Sequence, residues 1–211
     1  MSREHILHKV RTALGRTAGQ GIIDLPPVRI RIPETATEAR VASLLRAVEA
    51  LAGKTCRAAT TVDACEYVRE VLGGRSAVAS NAPFLRECGI TDLPGVRSGV
   101  TDAADLRALC ATAGVGITSA DYALADTGSL VMLSSPREAR LVSLLPPVHI
   151  AVVPQERIIS GLDELFTILP HPATQTSSMV LITGPSRTAD IEQILVRGVH
   201  GPGEIHVVVV G

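Results

Sequence analysis

The last thirty-five residues, Ser177 to Gly211, constrain the fold more than any other stretch of this chain. They open on an apolar run, Met179-Val180-Leu181-Ile182, of the length and composition of a buried strand. Gly184-Pro185 predicts a turn, and Ser186, Thr188 and Asp190 are candidate helix caps. Ile191, Ile194 and Leu195 then fall at i, i+3 and i+4, which predicts a helix over 191–196 stopped by Gly198. Ile205 to Val210 supplies a valine-rich strand. Strand, loop, helix and strand in this order predict two parallel strands joined by a right-handed crossover.

The same alternation runs through the rest of the chain. Helices are expected over 2–15, over 37–52 with Gly53 as stop, over 61–72 with Thr61 as cap, around 84–87, over 103–111 and over 162–169. Strands are expected at 57–60, 76–80, 129–133 and 148–153, with Val96 a weak one and Ile117 closing another; 120–125 reads as a short helix. The apolar fraction is 46%, yet the chain has only two Phe, two Tyr and no Trp. A core of Ala, Val, Leu and Ile suits strands buried on both faces, so the expected fold class is α/β, an open and mostly parallel sheet flanked by helices. Gly15, Gly19, Gly21 and Pro26-Pro27 make 1–35 a helical N-terminal arm and linker ahead of an α/β domain over 36–211. Such an arm is free to cover a neighbouring subunit of a homo-oligomer.

Composition excludes several functions. A net charge of −1 and so few aromatic rings argue against nucleic acid. No apolar run reaches the roughly 18 residues of a membrane span, and MSREHILHKVR is no signal peptide. A cytoplasmic protein is expected. Cys56, Cys65, Cys88 and Cys110 contain no C-x-x-C pair, so they read as reduced, mostly buried thiols and not as ligands of zinc or an iron–sulfur cluster. His5 and His8 lie three apart without a further ligand nearby and read as solvated. No metal or cofactor is expected.

Two polar interruptions of apolar runs are candidate binding turns. Asp126-Thr127-Gly128-Ser129 offers close backbone approach at the glycine and hydroxyls able to hold an anionic or carbonyl oxygen; alternatively, Asp126 and Thr127 bond only their own turn. Gly184, Ser186, Arg187 and Thr188 would sit at the start of the expected helix, where backbone donors and the dipole favour an anion and Arg187 adds a bidentate cation; a plain capped turn fits equally. Arg140 is a third candidate for neutralising an anion. His149, alternating with apolar neighbours, reads as a core histidine.

TGPSRTADIEQILVRGVHGP, over 183–202, resembles the C-terminal signature of the lactate utilization protein C family, the stand-alone LUD-domain proteins. GITSADYALADTGSLVML followed by REARLVSLLPPVHIAVVP, over 116–154, is similar to a second signature of that family, with Ser129 where the pattern usually has threonine. The resemblance implies the NagB/RpiA/CoA transferase-like fold, shared with sugar-phosphate isomerases. It also implies a component of an L-lactate oxidation system that works with iron–sulfur oxidoreductase subunits and binds a small anionic ligand. The alternative it leaves is a stand-alone enzyme acting on a phosphorylated or CoA-linked small molecule. Asp126 stands near the turn where coenzyme A transferases carry a glutamate nucleophile, and this shorter acid would have to reach the same atom.

Overall fold

A computed structural model describes residues 2–17, 35–189 and 195–211. The chain divides into two compact units, Met1–Ile30 and Arg31–Gly211. In the first, helix α1 (Arg3–Ala13) is capped by the Ser2 hydroxyl and buries none of its residues.

The second unit begins with α2 (Thr37–Ala50), whose Val41, Leu44 and Val48 form the buried stripe expected from their spacing. Its end differs in detail from expectation: Ala52, not Gly53, takes a positive φ of 64°. There follow β1 (Lys54–Ala58), α3 (Thr61–Leu72), β2 (Ala77–Ala79), α4 (Pro83–Glu87), β3 (Val96–Arg97), α5 (Ala103–Thr112) and β4 (Val115–Ser119). The cap of α3 is Thr60 and not Thr61, because the capping box needs its partner three residues on: Asp63 N–H donates to Thr60 Oγ1 at 3.2 Å and Thr60 N–H to Asp63 Oδ2 at 2.9 Å. Then come β5 (Tyr122–Leu124), β6 (Ser129–Leu133), α6 (Arg140–Leu144), β7 (Val148–Pro154), β8 (Ile158–Ile159), α7 (Leu162–Ile168), β9 (Met179–Ile182), β10 (Arg187–Ala189), β11 (Leu195–Arg197) and β12 (Glu204–Val210).

Six strands form a sheet in the order β1-β12-β7-β4-β2-β3, parallel at every pairing. The α/β class with a parallel sheet flanked by helices is therefore present. One face packs Val148, Ile150, Val208 and Val210 against Ala64 and Val68 of α3 and Leu85 of α4. The other packs Ala151, Val153, Val207 and Val209 against α2 and against a second, four-stranded sheet ordered β8-β5-β6-β9. That smaller sheet carries α7 through Leu124, Val131 and Leu165. Alternation along β7 and β12 thus fills two cores from single strands, which is why they read as continuous apolar runs.

Three local expectations are corrected. Residues 120–125 contain a strand and not a helix: Ala123 pairs with Leu130 across β5 and β6, and this cross-strand pairing outweighs the helical propensity of an alanine-rich hexamer. The final unit is not a single parallel crossover, because β9 pairs antiparallel with β6 in the small sheet while β12 enters the large one. The helix expected over 191–196 falls in part on 191–194, outside the described residues. Its described end, β11, pairs antiparallel with β10, with Thr188 opposite Val196. Apolar residues at i, i+3 and i+4 were compatible with either state over so short a run.

Gly116 shows how closely α6 lies on β4. A Cβ added there would stand 1.9 Å from the Val142 carbonyl oxygen, a backbone atom that cannot swing aside. Gly116→Ala is expected to destabilise the protein by about 1–3 kcal/mol through overpacking. This should appear as a lower urea midpoint with an unchanged slope; an unchanged midpoint would mean that α6 yields without cost.

Candidate functional site

After β2 the chain turns into α4 on one face of the large sheet, and after the adjacent β4 it passes into the small sheet on the other. Neighbouring parallel strands whose continuations part to opposite faces leave a crevice at their carboxyl ends. A cavity of about 410 Å³ lies there, with Ala82, Pro83 and Phe84 beyond β2, Ser119 and Asp121 at the end of β4, and Pro154 closing β7. Its charged lining consists of Glu87, Asp121 and Glu138 against Arg137 and Arg157.

Glu138 is 7% exposed. Its Oε1 accepts from Ser80 Oγ at 2.8 Å and from the Ser119 backbone N–H at 2.9 Å, so the side chain bridges the ends of β2 and β4. Its own N–H donates to Ser135 Oγ at 3.0 Å, which fixes the segment it stands on. Oε2 is buried without a hydrogen-bond partner among the described residues. Burial pushes this carboxyl up to about 7; the Ser80 and Ser119 donors pull it back, and Asp121 adds repulsion. Asp121 is also raised by burial, although its Oδ2 accepts from Leu133 N–H at 2.7 Å and Arg157 favours its charge. Arg157 stacks over the Tyr122 ring, its guanidinium carbon 5.4 Å from the centroid.

A second cavity of about 430 Å³ lies away from this crevice, bordered by Leu51 at the end of α2, by Ser143 and Leu144 of α6, by 180–187 and by 200–202 and Ile205 leading into β12. Gly184, Ser186 and Arg187 line it. No helix starts at 187, and the described backbone is strand; the Ser186 N–H donates to Pro202 O at 2.8 Å. The Arg187 guanidinium donates to the Leu51 carbonyl at the end of α2. Where a helix start was expected, residues 187–189 are strand, and the Ser186 N–H is already taken by Pro202.

Asp126, Thr127, Gly128 and Ser129 do not line either cavity. They turn β5 into β6, with Gly128 at φ +69° against α2, where a Cβ would stand 2.8 Å from Val48 N. Thr127 Oγ1 and Ser129 Oγ are 2.9 Å apart, and Ser129 Oγ is 2.7 Å from Oγ1 of Thr183, the residue just before Gly184. Arg140 opens α6, is exposed, and lines neither cavity. His149 is fully buried; Nε2 lies 2.8 Å from Thr118 Oγ1, Nδ1 has no partner among the described residues, and burial pushes its pKa down to about 4.

Sequence reasoning missed Glu138, Asp121, Ser80 and Arg157. Glu138 stands inside the quoted signature REARLVSLLPPVHIAVVP, between Arg137 and Arg140. Nothing in the local pattern separated it from a solvated acid. Among the described residues no three His, Cys, Asp or Glu side chains converge to hold a metal ion. The four cysteines are free thiols, two of them buried, and burial pushes Cys88 up to about 11. No described helix is long and apolar enough to cross a membrane.

A six-stranded parallel sheet, packed on one face by helices and on the other by a helix and a second sheet, defines the α/β class of proteins. Within that class, the family model described as the LUD domain matches residues 41–210, and this chain belongs to the LUD-domain family. It is similar to Lactate utilization protein C of Halalkalibacterium halodurans, 35% identical over 147 residues, which is 66% of this chain and 64% of that protein. The protein of the same name from Bacillus subtilis is 44% identical over 94 residues, 43% of this chain and 39% of the relative. That from Geobacillus sp. (strain WCH70) is 32% identical over 173 residues, 74% and 71% of the two chains. The match to each of the first two thus spans less than two thirds of the relative's length. The crystal structure of a DUF162 family protein from Deinococcus radiodurans superposes with a TM-score of 0.67 at 17% identity, over 84% of this chain and all of that one, and shares the fold.

The buried carboxyl has a consequence for stability. The folded state holds the Glu138 proton up to about pH 7, whereas the unfolded chain releases it near 4.5. Its contribution is therefore fully present below 4.5 and is lost as pH rises through 7. Glu138→Gln should remove up to about 3 kcal/mol of that pH dependence. Urea titrations across this window check it: the difference between wild type and variant should change with pH, and a constant difference would count against a buried neutral acid.

Proposed function

We propose that this chain serves lactate utilization as a component that acts with iron–sulfur oxidoreductase proteins and binds a small organic anion in the crevice beyond β2, β4 and β7. The crevice carries the reading: Arg137 and Arg157 border it beside a largely buried carboxyl, at the position where parallel α/β sheets take ligands. The names of the similar proteins supply the physiological setting. Arg137 and Arg157 hold the carboxylate by charge-assisted hydrogen bonds, and the apolar wall at Ala82, Pro83 and Phe84 excludes larger polar groups. Electrons leaving L-lactate pass to the iron–sulfur partners, for which the four scattered thiols of this chain are no substitute.

A second reading, an enzyme acting alone on a phosphorylated or CoA-linked molecule, draws on the other cavity. Its lining pairs Ser186, Arg187 and His200 with Leu51, Leu144 and Leu181, a polar end beside an apolar one.

The purified chain is expected to give no lactate-dependent dye reduction alone and to support it when iron–sulfur partner proteins are added. Replacing Arg137 and Arg157 together by alanine should raise the lactate concentration needed for half-maximal rate by about 10- to 100-fold, the loss of roughly 1.5–3 kcal/mol. Dye reduction by this chain alone would overturn the reading, and inactivity both alone and in the mixture would favour the second.

A further inference from the structure

We infer that Glu138 stands in the crevice as a carboxylic acid and donates its Oε2 proton to an uncharged oxygen of the bound anion. The site therefore selects small carboxylates that also carry a 2-hydroxyl or 2-oxo group. This rests on the reading of the crevice as the anion site and adds to it the identity of the selecting group.

The two oxygens of Glu138 are used unequally. Among the described residues, Oε1 accepts from Ser80 Oγ and the Ser119 N–H, while Oε2 is buried with no donor. An ionised carboxylate needs donors on both oxygens, and a buried lone oxygen with charge on it is costly. A protonated Oε2 is instead a donor that lacks an acceptor among the described residues, on a residue that lines the cavity. The charges facing it agree. Among the described residues of the lining, Glu87 on α4 and Asp121 after β4 are balanced by Arg137 and Arg157, so a neutral Glu138 leaves them with no net charge, whereas an ionised one makes them negative and repels an anion. Burial and Asp121 both favour the neutral form. The arrangement divides recognition in two: arginines for the carboxylate, and one acid proton for the second oxygen.

Calorimetric titration with pyruvate, L-lactate and propionate, below and above pH about 7, tests this. Pyruvate and lactate should bind the wild type with affinity that falls about tenfold per pH unit above the carboxyl's midpoint. Glu138→Gln, which keeps an N–H where the acid proton stood, should bind them with little pH dependence. Propionate, lacking the second oxygen, should bind roughly three- to tenfold more weakly than pyruvate at low pH. A carbon-13 NMR titration of the glutamate carboxyls, without ligand, should contain one resonance with its midpoint near 7 that is missing from the variant. Pyruvate binding that does not change across pH 7, or a variant that follows the wild-type slope, overturns the inference and leaves the anion site standing. Failure of all three acids to bind at any pH overturns both. A Glu138 resonance titrating near 4.5 overturns the inference whatever binds.

Discussion

The seven residues Glu204–Val210 hold the large sheet together from within, pairing in parallel with Lys54–Ala58 on one side and Val148–Pro154 on the other. Their side chains alternate between two cores: Val208 and Val210 with α3 and α4, Ile205, Val207 and Val209 with α2 and the small sheet. A strand buried on both faces satisfies its backbone only through its two neighbours. Because those neighbours lie far back in the chain, β1 cannot join β7 until the C-terminal residues are in place, and the sheet depends on contacts of long sequence separation.

The order of strands also decides where chemistry can occur. On the side of β7 away from β12, β4 pairs with both β7 and β2, and the chain leaves β2 and β4 toward opposite faces. The crevice between those departures is kept open by backbone routing. Glu138 spans it from a segment tied through Ser135, with Ser80 and Ser119 holding one of its oxygens. The same routing that removes this acid from water is what raises its pKa, so site and perturbation have one cause.

The smaller sheet carries the other polar turns. The hydroxyls of Thr127, Ser129 and Thr183 bond one another, and Gly128 and Gly184 lie close against the end of α2, at Ala47, Val48 and Leu51. These are the residues of a joint between a helix and two turns. Glycine is required at 128 by a positive φ and by a backbone 2.8 Å away, which accounts for its place in the turn without a ligand.

The sequence by itself determined the α/β class, the helices α2, α3, α5 and α7, the valine-rich strands and the family, because these rest on periodicity and on ordered local motifs within single elements. Only the tertiary structure decided the rest. The short stretches at 120–125, 187–189 and 195–197 lacked a decisive period, and pairing of Ala123 with Leu130 in one case and of 187–189 with 195–197 in the other settled their state. The crevice was invisible for a different reason: Ser80, Ser119, Asp121, Glu138 and Arg157 come from separate segments, and nothing near Glu138 in the chain sets it apart from the exposed Arg137 beside it. Its burial, and with it its proton, follows from which strands lie side by side, and strand order is a property that no local pattern of residues encodes.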